Sequence, residues 1–303
     1  MYRSPKKILL GQDNNALVFL FAINALVFVL INFVKIVYYL TDIPLELFYK
    51  QILNWFTLPA IPKLFFSRPW TILSFMFTHY SFWHLLSSMM WLWAFGFILQ
   101  DLAGNNKLIP VYLYGGLIGG TIFLLSNNLF PGLEKNILTI TPMLGSGTAV
   151  MAVAIATTTL APGYRIFPQI NGGIPLWVLT ILFVALNFTS FSGGNLGAAA
   201  AHIGAAAIGF VYVKQLQSGK DWGNWMVQLF YWVDDLFSPE KKHTNKSSDK
   251  HFYRASRKPY EKIANQSQQK LNDILDKINQ QGFNALTDDE KNYLNRAGND
   301  EDL

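Results

Sequence analysis

The stretch Leu144-Gly145-Ser146-Gly147-Thr148 sets a single hydroxyl nucleophile in an elbow of small residues, and the chain is apolar from Ala149 to Ala152. Further on, Ala201-His202-Ile203-Gly204 carries one imidazole inside another apolar run. A serine beside a histidine base suits acyl transfer: the imidazole takes the hydroxyl proton and the oxygen attacks a carbonyl. Ionisable side chains are costly in lipid, so those inside apolar runs point first to function. His79 and His84, at the head of an earlier apolar run, also qualify. The plainer reading of His202 is a neutral ring donating to a backbone carbonyl. For His79 and His84 a structural role is expected ahead of a catalytic one. The chain has no cysteine, which excludes disulfides, thiol nucleophiles and thiolate zinc sites. No metal and no cofactor is expected.

The elements that must position these residues are lipid-length helices. Of 303 residues, 51% are hydrophobic and 14% charged, too apolar a balance for an ordinary soluble domain. Residues 1–213 hold ten Lys and Arg and five Asp and Glu, whereas residues 214–303 hold fourteen of each. The first part is therefore built for lipid and the second for water. Spans need about 20 mostly apolar residues. Six are read, near 16–34, 84–99, 108–125, 148–160, 174–188 and 196–213. The second, fourth and fifth are short, which suggests tilt, local thinning or burial within a bundle. The first lacks a small-residue cleavage site and is expected to be retained.

The spacing predicts an N-terminal segment 1–15, a membrane domain 16–214, an interfacial segment 215–239, a linker 240–265 and a helical hairpin 266–303. Within the membrane domain, residues 41–82 read as short interfacial helices anchored by Trp55 and Trp70. In the tail, Leu271, Ile274, Leu275 and Ile278 share a helical face, Gly282 can end that helix, and Thr287 to Glu290 reads as a capping box. Arg3, Lys6 and Lys7 before the first span, and Lys214 and Lys220 after the sixth, place both termini in the cytoplasm. The net charge of +5 carries no basic, aromatic-interleaved stripe ahead of the tail, so nucleic acid is not an expected partner.

His79-Tyr80-Ser81-Phe82-Trp83-His84, the glycine elbow, and Ala201-His202-Ile203-Gly204 with Gly209 resemble the rhomboid family of intramembrane serine proteases. Arg68-Pro69-Trp70 resembles that family's first outer loop, and the likeness runs from about residue 60 to 214. The resemblance implies an all-α polytopic membrane protein, a six-helix rhomboid bundle with a water-filled cavity opening outward. The small cytoplasmic helical tail is similar to tails on some bacterial rhomboids. The expected location is a bacterial inner membrane. The expected partners are single-span transmembrane proteins, as substrates or clients, and membrane lipid; a partner for the tail is left open. The implied dyad is a serine at the start of the fourth span with His202. His84 and the residue four positions on, here Ser88, would help hold the oxyanion. His79, Gly145 and Met151 are read as structural neighbours of the site.

Three positions depart from the family pattern. With Gly145 on the family's first elbow glycine, Gly147 falls on the nucleophile. The alternative register puts Ser146 there and leaves Leu144 on the glycine. One residue turns a helical side chain by about 100°, so the two registers exclude each other. An asparagine of the family is replaced by Ser88, and an aromatic that packs on the histidine is replaced by Met151. Two functions follow: a serine endopeptidase cutting transmembrane substrates through Ser146 and His202, or an impaired relative that binds transmembrane segments without cleaving them. A transporter would show inverted repeats and paired intramembrane charges, and neither is found.

Overall fold

Asn15 starts the first helix by accepting the N–H groups of Leu17 and Val18 on its side chain. That helix, α1 (Ala16–Leu40), presents Leu26, Val29, Leu30 and Phe33 outward, each more than half exposed, as a lipid-facing side must be. The computed structural model describes residues 15–299 apart from 136, 139, 167, 168, 170, 171, 190–194 and 238–272. Residues 1–14 of the expected N-terminal segment 1–15, the expected linker 240–265, and the start of the tail with Leu271 lie outside the described residues.

After α1 the chain folds into a knot of short pieces: α2 (Leu45–Gln51), α3 (Pro62–Ser67), α4 (Thr71–Ser74) and two 3₁₀ turns. Trp55 and Trp70 anchor this segment to itself. Their rings stack 5.7 Å apart, Arg68 sits 4.5 Å over Trp55, and Trp70 Nε1 donates to the Trp55 carbonyl at 2.9 Å. Ser81 then caps α5 (Phe82–Ala103), which ends at Gly104. Next come α6 (Leu108–Leu129), the single turn α7 (Pro131–Glu134), and α8 (Gly147–Leu160). A small antiparallel ribbon, β1 (Arg165–Ile166) with β2 (Ile174–Pro175), precedes α9 (Leu176–Thr189). The fifth span thus starts at Leu176 and not at Ile174, because Ile174 and Pro175 are taken up by the ribbon. Then follow α10 (Leu196–Gln217) and α11 (Asn224–Phe237). Among the described residues, four helices are long and apolar enough to cross a membrane, namely α1, α5, α10 and the stretch Asn105–Leu129, and the helices 147–160 and 176–188 are shorter. The chain is an all-α polytopic membrane protein apart from that ribbon.

Helix α8 is the centre. Its 14 residues span only about 21 Å at 1.5 Å per residue. A helix that short cannot face lipid along its length; it is wrapped by α5, α6, α9 and α10. Ala149 to Ala154 are all at most 1% exposed. Lipid tails are as apolar as leucine, so close packing rather than water exclusion holds helices together here. A Cβ on Gly209 of α10 would lie 2.3 Å from the Ala152 carbonyl oxygen, and one on Gly115 of α6 would lie 2.4 Å from Ala152 Cβ. A Cβ on Gly119 would meet Thr148 at 2.8 Å and the Ala201 carbonyl at 3.2 Å. Gly204 does not join the contact with α8. Its missing side chain makes room for Ile122 of α6, since five residues along a helix turn by about 140° net.

At the other end of the bundle, Gln100 Nε2 donates to Asn15 Oδ1 at 3.1 Å and Asn105 Oδ1 at 2.7 Å. Lys107 pairs with Asp221 just beyond α10, and the pairing lowers the Asp221 carboxyl below its usual range against the opposing pull of burial. Tyr114 donates to the Trp222 carbonyl and accepts from Trp225 Nε1, both at 2.9 Å.

In the tail, helix α12 (273–281) stops at Gly282, whose φ of 80° suits glycine. Helix α13 (Asp288–Asn299) begins with the capping box: Thr287 N donates to Glu290 Oε2 at 2.8 Å and Glu290 N to Thr287 Oγ1 at 3.4 Å. Lys277 Nζ reaches Glu290 at 2.8 Å and joins the two helices.

Two outcomes are expected. Gly209→Ala puts a methyl on a backbone oxygen that no rotamer can move, so it costs about 1–3 kcal/mol or more in reversible unfolding from bicelles. Gly132→Ala, where nothing lies within 4 Å, stays within about 0.5 kcal/mol. Glu290 is held down from 4.5 to about 2, first by Lys277 and then by the Thr287 N–H. A depressed carboxylate stabilises the hairpin above its unfolded value and loses that contribution as pH falls toward the folded one. The Glu290 carboxyl resonance should titrate near 2, and tail helicity should fall between about pH 4.5 and 2 in the native chain but not in Glu290→Gln.

Candidate active site at the head of α8

The elbow before α8 is fixed by backbone bonds to the outer segment. Leu58 and Met143 exchange N–H···O bonds at 2.9 and 2.8 Å, and Gly145 N donates to the Phe75 carbonyl at 2.9 Å. Gly145 takes a φ of 94°, a left-handed conformation that costs glycine little. It must also be glycine for space, since a Cβ there would lie 2.4 Å from His84 Cε1. The His84 ring therefore lies directly over the elbow, 5.0 Å from the rings of His79 and Tyr80. Ser88 is half-buried one turn further along α5, and Met151 is in the core, 1% exposed.

The structure separates the two candidate nucleophile positions. Ser146 is fully buried, 0% exposed, and its Oγ lies 3.4 Å from His79 Nε2. His79 Nδ1 faces the Phe77 carbonyl at 3.4 Å, so its Nε2 is the acceptor and Ser146 the donor. The Tyr112 hydroxyl lies beside the Ser146 side chain. Tyr112 donates in turn to the Met76 carbonyl at 3.0 Å and accepts from Asn24 Nδ2 at 3.4 Å. Ser146 thus belongs to a buried polar chain that joins α1, α6 and the outer segment.

Gly147 takes the other side. A Cβ built on it would lie 2.9 Å from His202 Nε2 and 3.9 Å from Asn187 Oδ1. Gly147 and Asn187 are half-buried, while Ser146 and Thr148 on either side of Gly147 are buried. The dyad expected in one register, Ser146 with His202, is not brought together; the structure brings Gly147 to His202. His202 Nδ1 meets the Ala198 carbonyl at 2.8 Å. That is the backbone bond of the plainer reading, and it leaves Nε2 turned to the elbow. Asn187 was not foreseen. The signal available was one amide inside the apolar run of α9, where a polar side chain requires a partner.

Because the chain has no cysteine, accessibility can be read with single thiols. Gly147→Cys should react with a water-soluble maleimide at least about tenfold faster than Ser146→Cys, whose thiol would be sealed among His79 and Tyr112. Equal rates would mean the buried placement of Ser146 does not hold in the membrane.

Comparison with known sequences agrees with this architecture. The rhomboid domain profile matches residues 67–218, and a family of unknown function (DUF6576) matches residues 259–299. Among curated proteins, the chain is 25% identical over 159 residues to RHOMBOID-like protein 12, mitochondrial, of Arabidopsis thaliana, covering 50% of this chain and 47% of that one. It is 30% identical over 148 residues to Rhomboid protein 1, mitochondrial, of Saccharomyces cerevisiae, covering 47% and 40%. It is 28% identical over 73 residues to Rhomboid protease GlpG of Klebsiella pneumoniae, covering 24% and 26%. The matched stretches span less than half the length of these relatives. With half of its length matched by the domain, and its helices arranged around α8, the chain belongs to the rhomboid family.

Proposed function

We propose that this protein is a rhomboid without a serine nucleophile, which holds transmembrane segments of client proteins without cutting them. One observation carries the reading: the accessible position against His202 is Gly147, while the Ser146 hydroxyl is buried on His79. A hydroxyl attacks a carbonyl only if a base can take its proton and a substrate can reach it. Ser146 has a base in His79, but both are 0% exposed, so no peptide carbonyl can approach. Position 147 is reachable but has no atom to attack with. Loss of a triad nucleophile costs on the order of 10⁶ in turnover, and with Ser88 in the oxyanion region a donor is shortened as well. What remains is a half-open polar niche set in an apolar bundle, suited to receiving a segment of another membrane helix. By its Lys and Arg distribution we assign both termini to the cytoplasmic side of the membrane. The tail then offers a soluble surface for a partner of its own.

Purified protein in lipid is therefore expected to show no labelling by a fluorophosphonate that traps active serines, and no cleavage of a model transmembrane substrate. Gly147→Ser should restore part of both, once the His202 ring yields by a few tenths of an ångström. Adding Ser88→Asn should raise the rate further, by up to about 10² to 10³. Labelling of the unmutated protein that disappears in Ser146→Ala would establish a working endopeptidase in its place.

A further inference from the structure

We infer that the seam between the end of α6 and the start of α10 holds one acyl chain of a phospholipid from the surrounding bilayer. The site exists whether or not position 147 carries a nucleophile. A pocket of about 430 Å³ lies there, lined by Ser126, Phe130, Gly132, Leu133, Leu196 and Ala200. Small-molecule sites run from about 300 to 1,000 Å³, and close-packed interiors hold few voids larger than a water, so this gap is the size of a ligand and not of a packing defect. Elsewhere along the seam the two helices meet closely. Gly204 makes room for Ile122, and a Cβ on Gly197 would lie 2.2 Å from Asn127 Nδ2. Asn128, beside the pocket, donates to the Ala60 carbonyl at 2.9 Å, which places it at the end of the bundle that carries the elbow.

Shape, polarity and surroundings select the occupant. Ser126 and Phe130 stand four apart at the end of α6, and Leu196 and Ala200 four apart at the start of α10. Rows of that spacing are inclined by only about 26° to the helix axis, so the groove between them runs along the helices. Membrane helices tilt by about 20° from the bilayer normal, so the groove follows the direction of an acyl chain. Phe130 and Leu196 on its walls, and Leu125, Leu129 and Ile203 beside them, are each at least half exposed, so it opens on lipid tails. Ser126, the polar side chain among its walls, gives its proton to the Phe123 carbonyl at 3.1 Å. A peptide or a sugar would find no donor among these side chains, whereas a hydrocarbon chain needs none. In lipid the gain is contact instead of water exclusion, because an empty groove leaves its lining without partner atoms on one side. Gly132 and Leu133 of α7 are followed by Glu134 and Lys135, both exposed. These two charges cancel, so the chain is recognised and the headgroup charge is not. A chain seated here backs the first turns of α10, where the Ala198 carbonyl orients His202.

The test uses the full chain in mild detergent, stripped of lipid and titrated with phosphatidylcholine or phosphatidylglycerol that carries a diazirine midway along one acyl chain. Native mass spectrometry counts the retained lipid, and photolysis followed by peptide mapping locates it. One lipid per chain should be held ahead of all others, with crosslinks concentrated on Phe130, Leu133 and Leu196. The two headgroups should bind alike, within about twofold. Gly132→Trp sets an indole in the groove without a clash, since nothing lies within 4 Å of a Cβ there. It should lower retention at least about fivefold, the low end of what overfilling an occupied site costs. Ala200→Phe, from the opposite wall, should do the same. Gly163→Trp, at a glycine equally open but beyond α8, should leave retention unchanged. Crosslinks spread evenly over the outward faces of α1, α5 and α10 would overturn the proposal, because the groove would then hold only passing lipid. A preference of about fivefold or more for phosphatidylglycerol would overturn it too, since a headgroup would then be read in place of a chain. Paired copies of the protein in the native spectra, lost in Gly132→Trp, would make the groove a contact between copies and sink the lipid site. The crosslink map of the unmutated protein decides the matter even if neither groove variant folds.

Discussion

The contact between Gly209 and the Ala152 carbonyl sets the geometry of everything around it. It brings the backbone of α10 against α8 with no side chain between them. In lipid there is little hydrophobic force to gather helices, so the gain comes from how near the two backbones can lie. Gly115 and Gly119 do the same for α6 on neighbouring faces of α8. With α8 gripped from two sides by surfaces that cannot be compressed, the position of its first residue is fixed. So is the height of His202 along α10, two turns from Gly209 in the direction of the elbow. The 14-residue length of α8 follows as well. A helix surrounded by protein has no need to match a bilayer, and its head can end inside, where a polar site is possible.

Much of this was readable in the chain. Apolar runs gave the helices and their order, and the elbow admits two registers. Hydropathy could not choose between them, because Ser146 and Gly147 both sit at the edge of an apolar run. The choice is made by long-range partners: His79 before α5, Tyr112 in α6 and Asn24 in α1 collect the serine hydroxyl, and none is near it in sequence. Asn187 was missed for a related reason. One amide in an apolar stretch has no periodic signature, and only the packing of α9 beside α8 shows where its oxygen points. The ribbon of Ile166 with Ile174 was hidden because a two-residue strand carries no alternation to detect.

The buried chain from Asn24 through Tyr112 and Ser146 to His79 gives this serine a structural role. Each of these four side chains is at most 2% exposed, and a buried polar group without a partner is costly. The chain satisfies the hydroxyl and imidazole groups at the outer end of the bundle while joining α1, α6, the elbow and the segment before α5. Replacing Ser146 would leave His79 Nε2 short of a donor. Ser146 thus has a structural reason to be present that does not depend on catalysis.

Glycine at position 147 also bears on how His202 is held. A serine at position 147 would hold the His202 ring away by its own Cβ. Here the ring comes within 2.9 Å of where that carbon would be and is oriented by the Ala198 carbonyl. The backbone bond fixes the direction of the ring independently of the residue at position 147. A site whose acceptors are held by i to i−4 bonds within their own helices, as in His202 on Ala198 and Asn187 on Phe183, keeps its polarity when its reactive atom is gone. That persistence makes recognition without cleavage physically available to this fold: catalysis depends on one oxygen atom, whereas the binding geometry depends on helix backbones that the glycine contacts hold in place.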